Sequence, residues 1–128
     1  VCGYIAAVFS ILGHMFPIYF KFRGGKGVAT ALGVTTALAW QTFPIVMIPF
    51  VIIVAVSKMI SLGSIISAVI LPIATYFVYY FWYPECSPVV PTVATAVIAL
   101  LIIFMHRTNI KRMVRGEENK LGAKKSDE

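Results

Sequence analysis

Charge is what this 128-residue chain has least of: Asp, Glu, Lys and Arg together make up 12% of it, against 59% hydrophobic residues. Five stretches, Val1–Phe20, Gly27–Trp40, Phe43–Ser57, Ile60–Tyr83 and Pro88–Met105, contain no charged residue at all. A soluble domain this small buries only about two-thirds of its surface, so a mean hydropathy of +0.88 would leave too much oil in water. That excludes an ordinary soluble domain and points to a bilayer. There are only two cysteines, no CxxC pair and no ligand cluster, which excludes a structural zinc site and a disulfide scaffold. Cys2 and Cys86 are read as apolar fillers, with a single bridge between them left open.

Apolar–polar alternation is also missing, and with it the signature of an outer-membrane β-barrel. No basic segment precedes the first apolar run and no small-residue cleavage site closes it, so it does not read as a cleaved signal peptide. What remains is an all-α, polytopic membrane helix bundle with five spans. The second and third runs fall short of the ~20 residues that a perpendicular helix needs, which leaves a buried hairpin or re-entrant pair as the alternative.

Charge parity favours five spans. If every run crosses, all eleven Lys and Arg fall on one side and only Glu85 lies on the other. The positive-inside rule then puts that side in the cytoplasm and the start of the chain outside, in a plasma (inner) membrane. Trp40, Tyr79, Tyr80, Trp82 and Tyr83 end their runs at the outer face, as an interfacial belt does. Pro72 is expected to kink the fourth span. Residues 1–110 thus form the bundle, and residues 111–128 a basic, largely solvated cytoplasmic tail.

Two cytoplasmic stretches carry more than a membrane anchor needs. In "GHMFPIYFKFRGGKGVATALG", Gly24, Gly25 and Gly27 free the backbone to turn successive N–H groups into one concavity. Lys26 adds a charge there, and the helix beginning near Gly27 adds its positive end. The stretch is an anion cradle or, alternatively, a flexible turn whose cations touch anionic lipid. It is not a Walker A loop, because Phe20 and Gly27 stand where that pattern needs Gly and Ser or Thr. Thr30 either donates to a bound oxygen or bonds back to its own helix. His14, inside the first span near its cytoplasmic end, needs a polar partner or a place in the site.

In "HRTNIKRMVRGEENK", His106 and Asn109 share a helical face ringed by Arg107, Lys111, Arg112 and Arg115. Histidine exchanges protons near neutral pH, asparagine orients a hydroxyl and arginine grips phosphate. The two stretches together suit a substrate with an anionic head and an acyl tail. A channel or transporter, or a non-catalytic assembly subunit, are the competing classes. The absence of charge at membrane depth speaks against the first.

At these stretches the sequence resembles the PlsY family of membrane glycerol-3-phosphate acyltransferases, which use acyl-phosphate as donor. The family pattern GHxFPxFxxFKGGKGVAT is followed from Gly13 to Thr30, with Arg23 at a usual Lys; HRxNIxRLxxGxExK is followed from His106 to Lys120, with Met113 at a usual Leu. The resemblance implies acyl transfer to the 1-hydroxyl of glycerol 3-phosphate, giving lysophosphatidic acid and phosphate. It implies a phosphate-binding loop of Gly24, Gly25, Lys26, Gly27 and Thr30, with His106, Asn109 and Arg112 orienting glycerol phosphate. Glu118 and Lys120 match family positions. No metal or organic cofactor and no nucleic acid is expected; acyl-phosphate, glycerol 3-phosphate and membrane lipid are. Family members have seven spans and a further motif rich in Ser, Gly and Asn, so the chain resembles their C-terminal five spans and the remaining spans of the same protein are an expected partner. Neither a GxSxG elbow nor a Cys beside a His is present, which argues against an acyl-enzyme.

Overall fold

A computed structural model describes residues 2–20 and 24–122, and the side chain of Phe20 is not described. The described residues form six α-helices: α1 (Cys2–Met15), α2 (Val28–Leu38), α3 (Thr42–Ser57), α4 (Ile60–Trp82), α5 (Val89–Met105) and α6 (Arg107–Val114). No strand occurs among the described residues. Pro17 follows α1 and leads into a short 3-10 turn, Ile18–Phe20. Pro84 follows α4, while Pro88 and Pro91 open α5, where a missing N–H costs little. Pro49 and Pro72 lie inside α3 and α4, and α4 continues through Pro72 over 23 residues.

The helices close a ring. α4 packs on α3 and α5, α5 on α1, α1 on α2 and α2 on α3, with α2 also reaching α5. Small residues make these approaches possible: a Cβ on Gly63 of α4 would stand 2.7 Å from Val54 of α3. Buried hydroxyls return to their own helices, Thr35 to the Ala31 carbonyl at 2.6 Å, and Thr75 and Thr95 to Leu71 and Pro91 at 2.8 Å. The apolar core runs through Ile11, Met15, Ala31, Leu71, Ile98 and Ile102.

Much of the apolar surface points outward. Ile48, Val56, Val93, Leu100 and Phe9 are all more than half exposed, an arrangement suited to lipid and not to water. Among the described residues α4 alone qualifies as a span by length and composition, and α5 with α6 qualifies only as a pair bent by 57°. α2 has 11 residues, about 16 Å of helix. Even so, the Tyr83 hydroxyl donates to Gln41 Oε1 at 3.1 Å, which holds the α2–α3 turn at the same end of the bundle as the end of α4. The Tyr4–Tyr79 hydroxyl pair, at 3.2 Å, places the start of α1 there too. Helices α1 to α5 therefore alternate in direction between two common ends. The other end gathers Lys26, Lys58 and α6; Lys21, Arg23, Lys124 and Lys125 lie outside the described residues. Cys2 and Cys86 are exposed free thiols.

Candidate active site at the basic end of the bundle

The polar end is assembled from three separate parts of the chain: the loop before α2, the start of α4, and α6 with the turn after it. α5 ends at Met105, and His106 carries the 57° bend into α6. The bend turns His106 and Asn109 inward, leaving them 2% and 3% exposed. Past α6, Gly116 adopts φ 74°, while Gly116 N–H bonds to the Met113 carbonyl at 3.1 Å and Glu117 N–H to the Arg112 carbonyl at 2.8 Å. This is a Schellman cap, and it needs the left-handed conformation that glycine adopts freely. It sends the chain back beneath α6, where Leu121 N–H donates to the Lys58 carbonyl at 2.7 Å. Glu118 arrives buried. The expected solvated tail is thus docked at this point, while positions 123–128 lie outside the described residues.

Glu118 organises its neighbours. Its Oε1 accepts from Ser61 Oγ at 2.6 Å and from Asn109 Nδ2 at 2.7 Å, and its Oε2 accepts from Arg112 Nε at 3.0 Å. Asn109 Nδ2 also donates to Ser61 Oγ at 2.6 Å. With its amide nitrogen committed to acceptors, Asn109 turns Oδ1 outward, where it accepts from Lys26 Nζ at 2.7 Å. Burial works to raise the Glu118 pKa. The hydrogen bonds from Ser61, Asn109 and Arg112, with the Arg112 charge, outweigh it and hold the carboxyl at about 2.

His106 is pinned through one ring nitrogen, Nδ1–H donating to the Ile102 carbonyl at 2.8 Å. That fixes the tautomer of the neutral ring and leaves Nε2 with its lone pair. Burial, assisted by the Lys26 charge, lowers its pKa, against smaller opposing effects of the Ile102 carbonyl and Glu118. Its neutral form is thereby favoured, with Nε2 the nitrogen open to a proton.

The loop glycines meet needs other than a shared cradle. A Cβ on Gly24 would collide with the backbone carbonyls of His14 and Met15, and one on Gly25 would meet the His14 ring. Only Gly27 among the three has positive φ, 76°, at the start of α2. Close approach to the end of α1, more than backbone freedom, explains the first two. Thr30 does not line the cleft described below, and Arg107 lies apart from the cluster, its guanidinium 4.6 Å over the Phe104 ring. His14 is exposed at the mouth of the cleft. Ser61 was not singled out from sequence; its only signal is the Ser61, Ser64, Ser67 spacing on one face of α4.

Below the cluster a cleft of about 500 Å³ runs between α2, α3 and α4. Lys26, His14, His106 and Ser61 border its polar part; Ala31, Leu32, Phe50, Ala68 and Leu71 belong to its apolar walls. Among the described residues no cluster of side chains suits a metal ion.

Fold and site together define a helical integral membrane protein with a hydrogen-bonded polar cluster set over an apolar cleft. The chain belongs to the glycerol-3-phosphate acyltransferase family, whose model matches residues 1–116. It is 36% identical to a glycerol-3-phosphate acyltransferase of Actinobacillus succinogenes, over 98% of this chain and 64% of that protein. It is 40% identical to one of Shouchella clausii, over 94% of this chain and 57% of that protein. It also superposes on the crystal structure of PlsY (YgiH), an integral membrane glycerol 3-phosphate acyltransferase, in its glycerol 3-phosphate form. There the TM-score is 0.73 at 32% identity, covering 94% of this chain and 66% of that one. The lysophosphatidic acid form matches with the same TM-score at 31% identity, covering 94% and 67%. The chain thus spans between half and two-thirds of the length of these curated relatives.

Proposed function

We propose that the protein of which this chain forms the matched part transfers an acyl group from acyl-phosphate to the 1-hydroxyl of glycerol 3-phosphate. The observation that carries this reading is the junction of two environments at one place: the Lys26–Asn109–Ser61–Glu118–Arg112 network and His106 stand directly over an apolar cleft. A phosphorylated head and an acyl tail need both.

In this reading Lys26 keeps two N–H groups for a phosphate beyond the one given to Asn109, and Arg112 keeps the outer nitrogens of its guanidinium. The N–H groups of the first turn of α2, beside Gly27, face the same mouth and add a positive dipole end. The glycerol 1-hydroxyl oxygen attacks the acyl carbonyl carbon, forming the ester C–O bond. The mixed-anhydride C–O bond breaks, and its electron pair leaves on inorganic phosphate. The hydroxyl proton passes to His106 Nε2, whose Nδ1–H stays anchored on Ile102, or to a substrate phosphate oxygen. Cationic donors at the mouth stabilise the charge that develops on the carbonyl oxygen and the leaving phosphate. Asn109 is positioned by Glu118 and in turn positions Lys26. His14 borders the donor head, Gly24, Gly25 and Gly27 shape the loop that carries Lys26, and Thr30 follows in the first turn of α2.

Five spans, with the start of this chain outside and the basic end in the cytoplasm, accompany the proposal. The common ends of α1 to α5 and the position of the described Lys and Arg at one end support that topology.

The test is palmitoyl-phosphate-dependent acylation of glycerol 3-phosphate by the full-length protein in vesicles. Parent protein is expected to be active, and His106→Ala to lower kcat by about 10²–10⁴-fold if the imidazole is the base. Lys26→Ala is expected to raise KM for the donor. A membrane-inserted parent with no such activity defeats the function; wild-type turnover in both variants defeats the site assignment alone.

A further inference from the structure

α2 and α4 face each other across the cleft without a packing seam between them, although each packs closely on α3 and α5 or α1. Val28 and Leu32 of α2 border the cleft, but many of the other side chains that line it from these two helices are small. α2 offers Ala31 and Thr35; α4 offers Ser64, Ser67 and Ala68. Small residues normally mark tight helix contacts. Here they border the cleft instead. Below Ser61, the first large α4 side chain that lines the cleft is Leu71, and Val46 of α3 lines it too.

Resting on the acyltransfer reading above, we propose that Ala68 and Leu71 determine how long an acyl chain the site accepts. Ser61, hydrogen-bonded to Glu118, marks the level of the reacting head group. Ala68 lies seven residues further along α4, about 10 Å deeper, and Leu71 ten residues further, about 15 Å deeper. Ala68 is thus a side wall that a long tail must pass, and Leu71 with Val46 is the floor on which it ends. Both α4 residues are nearly fully buried, at 3% and 5% exposure, and neither makes a polar contact, so size is the property they contribute.

The experiment compares acyl-phosphates from octanoyl to stearoyl, in vesicles, using the full-length protein and its Ala68→Leu and Leu71→Ala variants. Ala68→Leu is expected to lower kcat/KM for palmitoyl-phosphate by about tenfold or more, since each methylene excluded from an apolar pocket counts for that order, with octanoyl-phosphate little affected. Leu71→Ala is expected to move the preference the other way, towards stearoyl-phosphate. Glycerol 3-phosphate KM should stay at the parent value in both. Equal loss at every chain length, or an unchanged chain-length profile in both variants, overturns the proposal, because a purely structural role has no reason to distinguish tails. If Ala68→Leu fails to insert, the shift in Leu71→Ala decides by itself. A parent protein inactive with every acyl-phosphate overturns the acyltransfer reading, and this inference with it.

Discussion

Glu118 is the residue on which the polar end depends, because a single buried carboxylate satisfies Ser61, Asn109 and Arg112 at once. Removing it takes the acceptor from the Ser61 hydroxyl and the Arg112 guanidinium and leaves the Asn109 amide with Ser61 Oγ alone. Glu118→Ala is therefore expected to cost about 1–3 kcal/mol, read as a lowered Tm in detergent, and to lower activity by releasing the Asn109 amide. The pH dependence has a definite sign. The folded carboxyl titrates at about 2, below its usual 4.5, so its contribution is fully present above about pH 4.5 and fades as pH falls towards 2. A difference in Tm between parent and Glu118→Ala that stays constant from pH 7 to pH 5 and narrows only below that range is the expected record. Narrowing already at pH 6 would mean that the network is not held by an ionised carboxylate.

At the scale of elements, the loop before α2 is positioned by its contact with the end of α1. Gly24 and Gly25 are neighbours with different reasons to be glycine. A methyl on Gly24 meets backbone carbonyls at the end of α1, which cannot turn aside as a side chain can, whereas one on Gly25 meets only the His14 ring, which can rotate. Gly24→Ala is expected to displace Lys26 from Asn109 and abolish most activity, while Gly25→Ala retains the larger part; comparison of kcat/KM for the two variants checks this. Equal effects would show that the contact with α1 does not place the loop. The turn after α6 follows similar logic through Gly116, whose positive φ lets Glu118 come back under the helix.

For the whole molecule, the alternation of helices between two ends puts Cys86 at the end opposite the basic cluster. In intact cells or oriented vesicles, a thiol reagent that cannot cross membranes is expected to label Cys86 from the outer side. Labelling only from the cytoplasmic side would reverse the topology. The outward-facing apolar belt formed by residues such as Ile48, Val56 and Leu100 explains why such a bundle is stable in lipid, where the backbone is satisfied within each helix and tight seams supply the association.

Sequence alone determined the class of fold, because runs of uncharged residues this long have no other stable environment than a bilayer. It also determined which end is basic, since charge parity depends only on the order of the runs, and it marked both polar stretches through residue types. It did not reveal Ser61, which looks like one more small residue on a helix until Glu118 and Asn109 are brought to it from later in the chain. Nor did it separate Arg107 from Arg112: only the bend at His106 turns one towards Phe104 and the other towards Glu118. Spacing along one helix predicts a shared face, but which partner that face meets depends on how distant segments pack. The roles of Gly24 and Gly25 were decided in the same way, by the closeness of α1 and not by any conformation that their own sequence demands.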